Sequence, residues 1–228
     1  MIINGFQKLT LLDFPGRTAA IVFTAGCDLR CPFCHNAPLV SRIRAEERID
    51  EDEIFAFLEK RRGLLDGVSV SGGEPLLQKD ILKFLERVKA LGYALKLDTN
   101  GSSPKRLFEV LGSGLVDYVA MDIKNAPSLY PKTAGIVGLD VSPFEESKNI
   151  ILSGSVDYEF RTTVTHELHT PKSIAEAAEW ISGAKRYYIQ NFKDSGDLVS
   201  GGVSPCSQEE LEEMRRAAEP FVKSVEVR

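Results

Sequence analysis

The stretch Ala19-Ala-Ile-Val-Phe-Thr24 is an unbroken apolar run of strand length, and it leads directly into Gly26-Cys27-Asp-Leu-Arg-Cys31-Pro-Phe-Cys34. Such a run reads as a buried strand, and the same unit recurs downstream. A helix is expected over residues 50–64, with Asp50 as its cap and Glu53 three residues on in capping-box style. Gly67-Val-Ser-Val-Ser71 is a second strand, followed by a helix over 77–91 whose apolar face carries Ile81, Phe84, Leu85 and Val88. Tyr93-Ala-Leu-Lys-Leu97 is a third, with a helix after Pro104, and Tyr118-Val-Ala-Met-Asp-Ile123 a fourth, with a helix over 143–152. Tyr158-Glu-Phe-Arg-Thr-Thr-Val164 makes a fifth, its helix opened by Thr170 with Pro171 in the first turn. Arg186-Tyr-Tyr-Ile-Gln190 makes a sixth, closed by a helix over 208–222. Six strand–helix cycles with short connections call for a parallel sheet covered by helices, either doubly wound or a barrel. In both, reactive groups gather at the C-terminal ends of the strands.

The 228 residues, 43% of them hydrophobic, suffice for a sizeable core and fit one domain. Its expected parts are an N-terminal extension over 1–17, a barrel core over 18–192, and a loop and helix over 193–228. A net charge of −5 gives no electrostatic reason to expect nucleic acid. The basic run Lys60-Arg61-Arg62 falls at a helix end, where it complements the helix dipole. No apolar stretch approaches the ~18 residues of a membrane span, and Met1-Ile-Ile-Asn-Gly5 lacks the basic-then-apolar pattern of a secretory signal. Four cysteines, three of them crowded, fit a reducing compartment, so a cytoplasmic location is expected.

The C-x3-C-x2-C spacing offers three thiolates where a closed metal site takes four. It can hold a four-iron cluster and leave one iron without a protein ligand, open to chemistry. Further polar groups fall at successive strand ends: Ser71-Gly-Gly-Glu-Pro75, Asp98-Thr-Asn-Gly101, Asp122-Ile-Lys124, then Arg161 and His166. Each has a plainer reading taken singly. Gly72-Gly73 and Asn100-Gly101 are ordinary turn dipeptides. Asp122 and Lys124 share a strand face and could form a structural ion pair. His166 and His169 read as loop or cap residues, with no helix-spaced partner of the zinc-protease type.

Together, Gly26-Cys27-Asp-Leu-Arg-Cys31-Pro-Phe-Cys34-His35-Asn36, Gly72-Gly73-Glu74-Pro75, Asp98-Thr99-Asn100-Gly101 and Met121-Asp122-Ile123-Lys124 resemble the radical S-adenosylmethionine (radical SAM) enzymes, over about residues 4–192. Within them the likeness is to the glycyl-radical-enzyme activases, and with Phe6-Gln-Lys-Leu-Thr-Leu-Leu-Asp-Phe-Pro-Gly16 it is nearest to those of anaerobic ribonucleoside-triphosphate reductase. The resemblance implies a partial (βα)6 TIM-like barrel. It implies that Cys27, Cys31 and Cys34 ligate a [4Fe-4S] cluster whose fourth iron is chelated by S-adenosylmethionine, with Phe33 packed beside the cluster. Gly72 and Gly73, lacking Cβ atoms, would let the backbone approach the methionine end of the cofactor, with Glu74 beside it. Asp98, Thr99, Asp122 and the backbone carbonyl of Ala120 match residues that help hold a monovalent cation near the cofactor carboxylate. Lys124 matches a lysine that contacts the cofactor, and Arg161 is placed to do likewise. The implied chemistry is one-electron cleavage of the cofactor to a 5′-deoxyadenosyl radical, which abstracts hydrogen from a glycine of a partner glycyl radical enzyme. A flavodoxin or ferredoxin would supply the electron.

The only further cysteine, Cys206, reads as a spare thiol rather than part of a second cluster. It ends a glycine-rich stretch over 194–207 expected as a surface loop, and one that could close over the cofactor or touch the partner. Two alternatives stand beside the activase. A radical enzyme acting on a small molecule would share nearly every motif. A structural zinc site could use His35 to complete Cys3His, but would leave Gly72 to Pro75 and Asp122 to Lys124 without a role.

Overall fold

The computed structural model describes residues 1–34, 36–40, 43–154, 156–194, 196 and 198–228. One sheet runs in chain order through β1 (Ile3–Thr10), β2 (Ala19–Thr24), β3 (Gly67–Gly72), β4 (Ala94–Thr99), β5 (Tyr118–Asp122), β6 (Asp157–Val164), β7 (Tyr187–Asn191) and β8 (Val225–Val227). From β2 onward all neighbours are parallel, and β1 alone is antiparallel, to β2. Among the described residues β1 and β8 do not pair, so the curved sheet is a partial TIM-like barrel.

The helices are α1 (Ala37–Val40), α2 (Glu51–Lys60), α3 (Ile81–Ala90), α4 (Pro104–Gly112), α5 (Tyr130–Ala134), α6 (Ser142–Leu152), α7 (Pro171–Trp180) and α8 (Gln208–Ala218). All six expected cycles are present; α2, α3 and α8 are shorter than expected, while α6 matches its expected span to within a residue. α2 ends at Lys60, ahead of the turn in which Gly63 takes φ +77°. Its cap Asp50 accepts from Asp52 N at 3.0 Å, so Glu53 completes no capping box. α3 starts only at Ile81, because Pro75–Leu77 forms a separate 3-10 turn. α8 stops before Pro220, whose ring cannot continue a helix. True capping boxes form at Thr170 with Ser173 and at Ser207 with Glu210.

Strands β2, β3 and β5 are almost wholly buried, as parallel strands covered by helices must be. Phe84, Phe144, Phe160 and Phe192 are fully enclosed, each contributing about 2–3 kcal/mol of apolar transfer. The expected N-terminal extension is a strand in fact. β1 exposes its middle, Gln7 to Leu9, as an edge strand does, and Phe6 seats against Phe57 at 5.2 Å between ring centroids. The β1–β2 connection then tucks under the barrel, where Phe14 packs with Ala19 and Tyr118. That packing brings Asp13 to the interior. No helix among the described residues is long and apolar enough to cross a membrane.

Candidate active site

The C-terminal ends of β2 to β6 surround a cavity of about 450 Å³, and Cys27, Cys31 and Cys34 all line it. Neighbours from three parts of the chain seat their loop. Arg30 N donates to Ala134 O at 2.9 Å, and Gly135, at φ +71°, lies so close that a Cβ there would stand 2.0 Å from Arg30 O. From the C-terminal side, Val199 N donates to Cys34 O (3.1 Å) and Ser200 N to Pro32 O (3.3 Å). From β3, Glu74 N donates to Gly26 O at 2.7 Å. Phe33 is buried, lines the cavity and meets the His169 ring edge-on at 6.2 Å.

Burial pushes the Cys27 thiol up to about 12 and the Cys31 thiol up to about 11. Thiolates in this setting need cations beside them, which iron supplies. Three thiols of one loop facing a shared cavity are the donor set that an iron–sulfur cluster takes from a protein. The Cys3His alternative falls on His35, which lies outside the described residues. His169 is no ligand candidate. Its Nδ1 accepts from Thr165 N (3.0 Å), leaving Nε2–H to donate to Lys124 O (2.9 Å), and burial lowers its pKa so the ring stays neutral. His166 pairs with Glu210 on α8.

Of the other expected site residues, Gly72, Gly73, Asp98, Thr99, Asp122, Lys124 and Arg161 line the same cavity. Glu74 and Ala120 do not. The Glu74 carboxylate is fully buried and turned into the protein. It accepts from Leu76 N (3.0 Å), Thr99 Oγ1 (2.9 Å) and Asn100 N (2.6 Å). Its side chain therefore ties the ends of β3 and β4 together, and only its backbone borders the cysteine loop. The two glycines, read as room for a ligand, first make room for protein. A Cβ on Gly72 would lie 2.4 Å from Thr24 N and O, and one on Gly73 2.0 Å from Gly26 O.

Burial outweighs the three donors and pushes the Glu74 carboxyl up to about 7 from its ordinary 4.5. The native state then holds a proton that the unfolded chain releases between those values. Stability from this group is full below about pH 4.5 and is lost as pH rises toward 7, by about 1.4 kcal/mol per unit. Urea unfolding at pH 5, 6 and 7 is expected to show that decline in the parent and a flatter profile in Glu74→Gln. Parallel profiles would reject the assignment.

Between the carboxylates runs a charge network only partly legible in the sequence. Arg161 Nε donates to Asp122 Oδ1 (3.0 Å) and its Nη1 to Asp98 Oδ2 (3.3 Å), while Lys124 Nζ donates to Asp122 Oδ2 (3.0 Å). Ser71 Oγ also donates to Asp98 Oδ2, at 2.9 Å. Against the opposing effect of burial, Lys124 and Arg161 hold Asp122 down at about 2, and Arg161 and Lys96 keep Asp98 low. Lys96 and Asp13 were absent from the sequence-based site. Fully buried Lys96 sits on β4 two residues before Asp98 and donates to it at 2.6 Å and to Asp13 Oδ2 at 3.2 Å. The period-2 alternation Leu95-Lys96-Leu97-Asp98 is the signal that puts Lys96 on the face of Asp98.

An open parallel barrel with three thiols on the loop after its first parallel strand, and a charged cavity beside them, defines an iron–sulfur radical enzyme. Residues 21–152 match the model of the radical SAM superfamily, and the chain belongs to that family. Its cofactors are accordingly a [4Fe-4S] cluster and S-adenosylmethionine. It is 30% identical to the "Putative glycyl-radical enzyme activating enzyme" of Methanocaldococcus jannaschii over 100% of this chain and 95% of that one. It is 32% identical to the 7-carboxy-7-deazaguanine synthase of Koribacter versatilis over 68% of this chain and 65% of that one. With the pyruvate formate-lyase-activating enzyme of Clostridium pasteurianum it shares 33% identity, over 54% of this chain and 52% of the relative. Streptococcus suis SuiB, solved bound to S-adenosylmethionine, superposes with a TM-score of 0.69 at 15% identity over 91% of this chain and 51% of that one, a likeness of fold.

Proposed function

We propose that this protein installs a glycyl radical in a partner enzyme, with anaerobic ribonucleoside-triphosphate reductase as that partner. The observation that carries the reading is the end-to-end similarity to a relative named for glycyl-radical enzyme activation. In this reading Cys27, Cys31 and Cys34 hold the cluster. Lys124 and Arg161 present positive charge to the cofactor carboxylate, and the backbone around Gly72 and Gly73 borders its methionine end. Phe33, backed by His169, and the residues around Val199 and Ser200 exclude water. When bound, cluster and cofactor together supply a one-electron carbon–sulfur cleavage and the hydrogen abstraction that follows. A flavodoxin or ferredoxin supplies the electron, and the reducing cytoplasm is the matching compartment.

The 7-carboxy-7-deazaguanine synthase similarity supports a second reading, a radical enzyme acting on a small molecule. The reconstituted protein, given reductant, S-adenosylmethionine and the reductase, is expected to generate a glycyl radical signal in the reductase by electron paramagnetic resonance. A signal only in a different glycyl radical enzyme would replace the partner. 5′-Deoxyadenosine formed only with a small molecule, and no radical in any partner, would favour the second reading.

A further inference from the structure

The residues that resemble a monovalent-cation site do not fit such an ion here, because the chain's own cations already occupy their oxygens. Asp98 gives Oδ1 to Lys96 and Oδ2 to both Ser71 and Arg161, and Asp122 gives one oxygen each to Arg161 and Lys124. The Thr99 hydroxyl is engaged within the protein as well, donating to Glu74 at 2.9 Å and accepting from Gly101 N at 3.0 Å. Charges match: Asp13, Asp98 and Asp122 face Lys96, Arg161 and Lys124. Glu159, further down β6, is met separately by Tyr118 at 2.8 Å and by Arg228 at 3.9 Å. Three of the roughly four acceptor positions of the Asp98 carboxylate are filled, and an alkali ion brought there would meet an ammonium already against it.

We propose that Lys96 takes the place of the monovalent cation: its buried ammonium neutralises Asp98 from inside the barrel, so the enzyme binds and cleaves S-adenosylmethionine without an alkali metal. Lys96 is a positioning residue. It acts through Asp98, which with Asp122 fixes Arg161, and through Asp122 the charge also reaches Lys124. Asp13, carried inward by the packing of Phe14, closes the far side of the ammonium at 3.2 Å. The inference rests on S-adenosylmethionine as cofactor and is independent of which partner is activated.

The test compares reconstituted enzyme in sodium, potassium and tetramethylammonium buffers of equal ionic strength, reading the dissociation constant for S-adenosylmethionine by equilibrium dialysis and the rate of 5′-deoxyadenosine formation. The parent is expected to change less than ~2-fold across the three. Lys96→Met, which keeps length and removes charge, is expected to bind the cofactor at least ~10-fold more weakly in tetramethylammonium and to recover in potassium or sodium, a rescue that a merely structural role would not give. Parent crystals soaked in thallium(I) should show no anomalous peak between Asp98 and Asp122, and Lys96→Met crystals should show one. A parent that loses ~10-fold or more in tetramethylammonium, or that takes up thallium there, overturns the proposal. So does a folded Lys96→Met protein that no alkali ion rescues. Should that variant fail to fold, the parent's buffer series and thallium soak decide alone. Absence of cleavage in every buffer would reject the cofactor reading, whereas the thallium soak still judges Lys96.

Discussion

Cys31→Ala, purified and reconstituted anaerobically, is expected to lack the broad thiolate–iron absorbance near ~400 nm and to cleave S-adenosylmethionine at least ~10³-fold more slowly than the parent, the scale of loss when a group indispensable to a reaction is removed. The fold should survive, since removing one sulfur from a buried site costs about 1 kcal/mol. Cys31 is the most enclosed of the three cavity thiols, and its loop is held by main-chain bonds from Ala134, Val199 and Ser200 that a Cβ substituent does not touch. Cys206→Ala is the matching control. That thiol is also buried, but it lies off the cavity, and its backbone is fixed on both sides by Asn191, at 2.9 Å each way. Cleavage within ~2-fold of the parent and a stability loss of about 1 kcal/mol are expected there. Full activity in Cys31→Ala would dissolve the cluster assignment; inactivity in Cys206→Ala would mean the fourth thiol has work that its position does not reveal.

The second large effect is expected from one added methyl group. Gly72→Ala combines φ +119° with a Cβ 2.4 Å from the backbone N and O of Thr24, and Gly73→Ala puts its Cβ 2.0 Å from Gly26 O. Neither neighbour is a side chain that can swing away. Both belong to the backbone leading into Cys27, so relief requires β2 and the cysteine loop to separate from β3. Each substitution should destabilise by more than ~4 kcal/mol, the range of mutations with a specific steric cause, and should halve or worse the iron bound on reconstitution. Gly112→Ala at the end of α4 meets nothing within 4 Å and should stabilise by about 0.5–1 kcal/mol. Thermal denaturation of the three variants with iron determination checks this. A Gly73→Ala protein with parental stability and iron content would show that the loop yields more readily than its packing implies.

Six of the seven parallel strands, β2 to β7, were legible because each carries a short apolar run or an apolar face bounded by turn residues and followed by a helical segment. β1 and β8 were not. An edge strand with an exposed middle, and a strand of three residues, carry too little periodicity to stand out. Likewise α5 is a five-residue turn whose importance lies in Gly135 touching Arg30, a contact between positions more than a hundred residues apart. At the site, spacing identified which residues meet but not which way they face. Cys27, Cys31, Cys34, Asp98, Asp122, Lys124 and Arg161 converge on one cavity as expected. Glu74 sits in the same motif yet points inward, since the three donors that satisfy it come from the protein. Lys96 was read only as part of a strand, and it takes the curvature of the sheet and the approach of Asp13 to show that its ammonium is buried against two carboxylates.

The hydrogen bonds from Val199 and Ser200 to the carbonyls of Cys34 and Pro32 join a late part of the chain to an early one. During synthesis the three cysteines emerge long before the segment that covers them. Until that segment arrives, the thiols stand on a loop lacking two of its main-chain tethers and open to solvent and to wrong metals. The order of the chain thus means that the cysteine loop has its full set of main-chain tethers only once that late part of the sequence has packed onto it.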